Sequence, residues 1–277
     1  MSKTLAIILN HNLPEATDDL FESLFPFQED LYELLVIDNG SHEKHIAKNT
    51  FIRLNENIFW GGALNVAFNM VLEDEKYDSL LFLNNDIELN GDGFVSTLRT
   101  AMFKNDLAIV TPCMAGKANP WKQMMNWGTQ GIRIVNWIDN QAPLFSRKLI
   151  EEIGQFDEAL KYGWGQELVC YDICKKYDWG IGICDYLSVL HYGHLTFVKD
   201  RFMVDQKLNI EDEIQKKDFE SFSKAAHRGF TQRFSHDLEK YIRMHDYGKL
   251  YGPSDIVLYR SPLFSIRGMR NRLCKLF

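Results

Sequence analysis

The sequence predicts an α/β protein: a mostly parallel central sheet flanked by helices, followed by a C-terminal helical extension. Three observations predict it. Short apolar runs recur through the first 110 residues, each closed by a polar or turn-forming residue. The runs are continuously apolar rather than alternating, as in strands covered on both faces. Helix-like stretches separate them, which is the order of an α/β sheet with parallel strands.

The elements follow in order. LAIIL (5–9) is the first strand, and a helix over 14–24 opens with Pro14 and Glu15, both good first-turn residues. LLVI (34–37) and FIRL (51–54) are the next two strands, followed by a helix over 61–73. LLFL (80–83), a helix over 92–104 and the strand AIVT (108–111) complete the alternating part. Beyond residue 112 the texture turns Trp-rich and Gly-punctuated, with helix signals at 147–153 and 166–177. From about 204 to 247 the pattern is charged and helical, so the expected division is a domain over 1–200 and a helical extension with a basic tail over 201–277.

In open α/β sheets, ligands gather at the carboxyl ends of the strands. That places Asn10 to Asn12, Asp38 to Ser41 and Asn84 to Asp86 on one rim, with Asn39 and Asn85 among them. Turn chemistry explains any one such ending. Three together point to a site. Asp38 suits a nucleobase or a sugar hydroxyl, because a carboxylate accepts paired donors. Gly61 and Gly62 stand at a helix entrance, where backbone N–H groups can approach a diphosphate, and a tight turn is the other reading. A carboxylate such as Asp86 facing a diphosphate calls for a divalent cation between them, Mg2+ or Mn2+. In SVLHYGH, His191 and His194 follow another apolar run and offer a further ligand. Glu167 opens the 166–177 helix, where a carboxylate serves equally as a general base or as a cap.

The chain has 277 residues, 45% of them hydrophobic, enough for a substantial core. Its net charge of -7 disfavours general nucleic-acid binding. No apolar run approaches the roughly 20 residues of a membrane span, and MSKTLAIILNHN turns polar too soon for a secretory signal. A cytoplasmic protein is the expectation. Five scattered cysteines argue against a disulfide scaffold; Cys170 and Cys174, four apart, are read as buried thiols in preference to zinc ligands. Trp121, Trp127 and Trp137 suit either a stacking wall for a sugar or core packing. Residues 260–277 carry Arg260, Arg267, Arg270, Arg272 and Lys275 without an acidic residue, interleaved with apolar side chains. They read as a basic amphipathic helix on an anionic membrane surface, as an end helix packed on the domain, or as a dimer contact.

The ordered set LAIILNHN, LLVIDNGS, NENIFWGGALN, LLFLNNDIEL, FSRKLIEEIGQFDEAL, WGQEL and SVLHYGH resembles the family 2 glycosyltransferases of GT-A, Rossmann-like fold. It is most similar to bacterial rhamnosyl- and galactosyl-type members that build surface polysaccharide, and the likeness spans residues 4 to about 194. The resemblance implies an inverting transfer of a hexose from a UDP-, dTDP- or GDP-linked donor to a hydroxyl of a glycan or lipid-linked glycan, with a bound Mn2+ or Mg2+. Carried over by position, Asp38 binds the base or ribose, and Asn57 to Asn65, with Trp60, Gly61 and Gly62, line the diphosphate and sugar. Asp86 stands last in the family's DxD metal motif with His191 as second ligand, and Glu167 stands where the family has its catalytic Asp. GQFDE (154–158) matches the stretch before the acceptor site.

Two positions depart from that pattern. Asn84 replaces the first DxD carboxylate, and Gln166-Glu167 replaces Glu-Asp, which makes the proposed base one methylene longer. The uncharged Asn84 also suits a non-catalytic nucleotide-sugar or glycan-binding module. A Rossmann dinucleotide enzyme is disfavoured, because no GxGxxG follows the first strand.

Overall fold

The protein structure, a computed structural model, describes residues 2–25, 31–115, 122–126, 130–163 and 165–192, with strand backbone at 248–251 and 258–259. Strands β1 (Lys3–Asn10), β2 (Tyr32–Asp38), β3 (Thr50–Arg53) and β4 (Tyr77–Asn84) form the parallel half, in the order β3-β2-β1-β4. Ala6, Ile7, Ile8, Leu80, Leu81 and Phe82 are fully buried, as expected for strands with helices on both faces.

Helix α1 (Pro14–Leu24) begins on Pro14, whose fixed φ and missing N–H suit a first helical turn. It buries Thr17, Leu20, Phe21 and Leu24, one stripe at helical spacing. Helix α2 (Phe59–Glu73) covers the sheet with Ala63, Leu64, Ala67, Phe68 and Val71. Its start lies two residues before the expected one, and α3 (Phe94–Lys104) starts two after, once Gly93 has turned the chain through a left-handed φ of 56°. Helices α4 (Arg147–Ile153) and α5 (Gln166–Tyr177) fall on their expected bounds; Ser146 caps α4 by accepting the Leu149 N–H.

Beyond β4 the sheet is mixed. It continues through β8 (Leu144–Ser146), antiparallel to both β4 and β6 (Leu107–Ala115), then β9 (Gly180–His191), parallel to β6. β7 (Ile132–Val135) and β5 (Ile87–Asn90) are both antiparallel to β9. The parallel order expected from the sequence therefore holds for the first half, while the second contains short strands that the apolar runs did not reveal. Three-residue β8 is too brief to carry a pattern, and β7 contains buried Arg133.

The described parts of the expected helical extension are strands: β10 (Gly248–Tyr251) pairs antiparallel with β7 and with β11 (Leu258–Tyr259). The whole of the expected 204–247 helical stretch and the basic tail lie outside the described residues, as do Trp121, Trp127 and His194. Trp137 is described and buried, which is the core-packing reading.

Candidate active site

Strand register assembles the rim. Asn10 lies opposite Asp38 across β1–β2, and Leu9 lies opposite Asn84 across β1–β4. On the antiparallel side Ile87 pairs with His191, which brings the preceding Asp86 against that histidine.

The β1–β2 end is a closed polar knot. Asn10 Nδ2 donates to Asp38 Oδ2 (2.7 Å) and to the His45 carbonyl (3.0 Å), while its Oδ1 accepts from Thr17 Oγ1 (2.9 Å). Asp38 Oδ1 accepts the Ser41 N–H at 3.0 Å, and Asn85 Nδ2 donates to Thr17 Oγ1 at 3.0 Å. Asn10 and Asp38 have no exposed surface and Asn85 very little. Both oxygens of buried Asp38 thus accept protein donors, and the residue anchors the turn. Gly40 in that turn holds φ +66°, and a Cβ there would sit 2.2 Å from the Glu56 carbonyl carbon, so only glycine lets the two loops cross.

The groups that reach the surface of this end are His11, Asn12 and Asn57, all partly buried. His11 Nδ1 lies 2.9 Å from the Asn39 carbonyl, which can only accept; Asn57 Nδ2 approaches His11 Nε2 at 3.1 Å. Asn57 Oδ1 already accepts the Phe59 N–H (2.8 Å) and Asn39 Nδ2 (3.0 Å), which fixes its amide orientation. The His11 proton thus sits on Nδ1. His11 was missed as an individual residue, although its place between Asn10 and Asn12 at a strand end was the available signal.

At the entrance to α2, two expectations change. The Gly61 N–H donates to the Lys161 carbonyl at 2.8 Å, so it does not cradle a diphosphate. Its missing Cβ instead lets Gln166 Nε2 and the Leu160 carbonyl approach, which a methyl would meet at 2.8 and 3.0 Å; Gly62 similarly accommodates the Ile58 side chain. Asn65 grips the backbone of Phe156 at both ends of its amide, Nδ2 to O at 3.0 Å and Oδ1 from N at 2.8 Å. It holds the GQFDE segment on α2.

Asn84 is fully engaged. Its Oδ1 accepts from Trp60 Nε1 (2.9 Å), its Nδ2 donates to Gln141 Oε1 (2.7 Å), and its backbone N–H donates to the Gln141 carbonyl (3.1 Å). An aspartate could accept from Trp60 but could not donate to Gln141, which gives a local reason for asparagine here. Gln141 in turn donates to Asp139 Oδ2 at 3.3 Å, a carboxylate that the sequence did not single out.

Four titratable groups share this neighbourhood. Asp86 Oδ1 lies 3.1 Å from His191 Nε2. Burial lowers the His191 pKa, but the Asp86 hydrogen bond and the charges of Asp86 and Asp139 outweigh it and hold it above the ordinary value. Burial pushes the Asp139 carboxyl up. Burial, reinforced by the charge of Asp139, pushes Glu167 up to about 7 against N–H donors from Glu167 and Gly165 that favour its ionised form. Glu167 Oε2 accepts the Gly165 N–H at 2.9 Å, so it does cap its helix.

Asp86 and His191 fit a divalent cation: an oxygen and an imidazole nitrogen 3.1 Å apart suit neighbouring positions around one ion and the donor preference of Mn2+. No cluster of three His, Cys, Asp or Glu side chains occurs among the described residues. Cys170 and Cys174 are free, buried thiols.

The comparisons bear on the fold. The fold matches the crystal structure of GalNAc-T7 with UDP, GalNAc and Mn2+ at a TM-score of 0.54 and 13% identity, over 94% of this chain and 67% of that one. It matches S. aureus TarS 1-349 at 0.51 and 14% identity, over 87% of this chain and 78% of that one. It matches S. aureus TarS at 0.51 and 15% identity, spanning 47% of that chain. At such identities the likeness is one of fold, here GT-A. No curated protein sequence matches the chain. No helix among the described residues is long and apolar enough to cross a membrane. The model of Glycosyl transferase family 2 matches residues 6–153, more than half of the chain, and the protein belongs to that family.

Proposed function

We propose that the protein is an inverting, metal-dependent hexosyltransferase that uses a UDP-, dTDP- or GDP-linked donor and a hydroxyl of a glycan or lipid-linked glycan in surface polysaccharide or lipopolysaccharide synthesis. One observation carries the reading: Glu167, with a pKa near 7, shares its electrostatic surroundings with Asp139, which in turn acts on His191 beside Asp86. This electrostatic link supports reading Glu167 as the base and Asp86 with His191 as the cation-binding pair of one site. The raised pKa suits proton abstraction near neutral pH.

In this reaction the acceptor hydroxyl gives its proton to Glu167 as its oxygen bonds to the anomeric carbon. The bond from that carbon to the donor phosphate oxygen breaks, and its electron pair leaves with the nucleoside diphosphate. Attack opposite the leaving group inverts the anomeric configuration. Asp86 and His191 would hold the cation, which supplies charge neutralisation to the departing diphosphate. His11, Asn12 and Asn57 are the partly exposed polar groups at the strand ends for the nucleotide, with buried Asp38 and Asn39 fixing their loop.

Replacing Glu167 by Gln keeps an oxygen for the Gly165 N–H and removes the base. Transfer is expected to fall by roughly 100-fold or more with donor affinity retained. Near wild-type turnover in Glu167→Gln would remove the assignment. The binding-module alternative drew on the uncharged Asn84, and the bonds of Asn84 to Trp60 and Gln141 supply a local reason for an asparagine there that does not depend on that alternative. Release of nucleoside diphosphate only when donor, Mn2+ and acceptor are combined separates the two readings.

A further inference from the structure

The loop between β7 and β8 carries a carboxylate without a role in the proton transfer or in the cation pair. Asp139 is partly buried, its Oδ1 accepts the Asn140 N–H at 3.0 Å, and its Oδ2 accepts from Gln141 Nε2 at 3.3 Å. Each oxygen keeps a lone pair free of those bonds. Gln141 is fixed from the other side, because Asn84 holds both its backbone and its side chain, and Asn84 is itself held by Trp60. Side chains from the start of α2, the end of β4 and the β7–β8 loop thus converge on one carboxylate orientation.

The position of that carboxylate matters. Asp139 acts on the charge of Glu167 and shares a field with His191. In a displacement at an anomeric carbon, the sugar ring lies between the leaving diphosphate and the attacking hydroxyl. Through Gln141 and Asn84, Asp139 is tied to the β4 end, two residues before Asp86, and a carboxylate at that strand end is in reach of a ring held between base and cation. A fixed carboxylate beside a fixed amide offers acceptors and a donor at the spacing of neighbouring sugar hydroxyls. Sites built to hydrogen-bond a substrate hydroxyl reject analogues that lack it more strongly than apolar pockets reject an extra methylene.

We infer that Asp139 binds hydroxyl groups of the transferred sugar and sets which sugar the enzyme accepts, and that Asn84 is the positioning residue that orients it through Gln141. This rests on the reading of the site as one of nucleotide-sugar transfer.

The test uses the full chain with Mn2+ and three pairs of probes: UDP with UDP-galactose, dTDP with dTDP-rhamnose, and GDP with GDP-mannose. The quantity read is the ratio of affinities between nucleotide sugar and matching nucleoside diphosphate. For the pair that the wild type binds, Asp139→Asn is expected to lower that ratio roughly tenfold or more while nucleoside diphosphate affinity stays within about twofold, the size of one lost charge-assisted hydrogen bond. Asn84→Asp, which keeps the acceptor for Trp60 and loses the donor to Gln141, is expected to lower the same ratio by a smaller factor. An unchanged ratio in Asp139→Asn, or an equal loss for sugar and diphosphate, overturns the role of Asp139. Tighter nucleoside diphosphate binding by Asn84→Asp with an intact ratio overturns the positioning role, since it would mark residue 84 as part of the cation site. A wild type that binds none of the six probes removes the nucleotide-sugar reading itself, a result distinct from the others.

Discussion

Glu167 ties the chemistry to pH. Burial is the main cause that lifts its carboxyl from 4.5 to about 7. The folded protein thus keeps a proton there that the unfolded chain releases near its ordinary pKa. The stability this group contributes is fully present below about 4.5 and is lost as pH rises through about 7. Activity has the opposite sign, because the base works ionised: kcat/KM is expected to climb through pH 7 and level off above it. A pH profile measured at fixed, saturating Mn2+ checks this, and a flat profile between pH 6 and 8 would contradict it. Glu167→Gln adds a stability test. Its unfolding free energy should match wild type near pH 4.5 and exceed it by on the order of 2 kcal/mol at pH 8, measured by urea unfolding. The sequence offered base and cap as alternatives for Glu167; the structure has the side chain accepting the Gly165 N–H, which is the cap, and the base is the proposal that Glu167→Gln tests. Asp139 was not legible in the sequence at all, since it lies on a loop without periodicity and becomes a site residue only through contacts with Gln141 and the fields of Glu167 and His191.

At the scale of elements, β7 and β9 carry the largest concealed interaction. Arg133 is inside the sheet and meets Asp185 with both arms of its guanidinium, Nε to Oδ2 and Nη2 to Oδ1, each at 2.7 Å. Nη2 also donates to the Met125 carbonyl at 3.1 Å, and Nη1 to the carbonyl of Gln123. The pair is almost wholly withdrawn from water, with side-chain exposures of 1% and 0%. Removing one partner leaves a buried charge without compensation, so Arg133→Met should cost about 3–5 kcal/mol in urea unfolding. Arg133→Met combined with Asp185→Leu should recover most of that loss, because apolar groups of similar volume often replace a buried pair without penalty. A double variant as unstable as the single one would show that the carbonyl contacts dominate. This pair also explains why the second half of the sheet was harder to read than the first. β1 and β4 are unbroken apolar runs, whereas IRIV has an arginine whose partner lies 52 positions away, and pairing at that separation leaves no local pattern. The helices were the reverse case: Pro14 at the start of α1 and Ser146 before α4 are local signals, and those elements lie where the sequence places them.

At the scale of the whole molecule, charge and ligand binding make separate predictions. The chain carries a net charge of -7 although residues 260–277 hold five basic side chains and no acidic ones, so the rest is strongly acidic. A protein so polarised should meet an anionic bilayer by that tail, each basic residue contributing about 1 kcal/mol near the surface. Full-length protein is expected to co-sediment with phosphatidylserine-containing vesicles at low salt and to be released at high salt, whereas a chain ending at 259 remains in the supernatant. Equal sedimentation of both would leave the tail as a packing or dimer element. Under the proposed function, donor binding would act on the fold as a unit, because the strand ends of the candidate site belong to the same sheet that forms the core. A ligand that binds only the folded state at 100 times its Kd stabilises by about 2.7 kcal/mol. For a chain of this length that amounts to a Tm increase of about 5 °C or more. The increase should require Mn2+ or Mg2+ together with the accepted nucleotide sugar, and Asp86→Ala should abolish the metal dependence while leaving the Tm without ligand close to that of wild type. A shift that persists in Asp86→Ala at the same metal concentration would place the cation away from the Asp86–His191 pair and would detach the DxD position from its expected role.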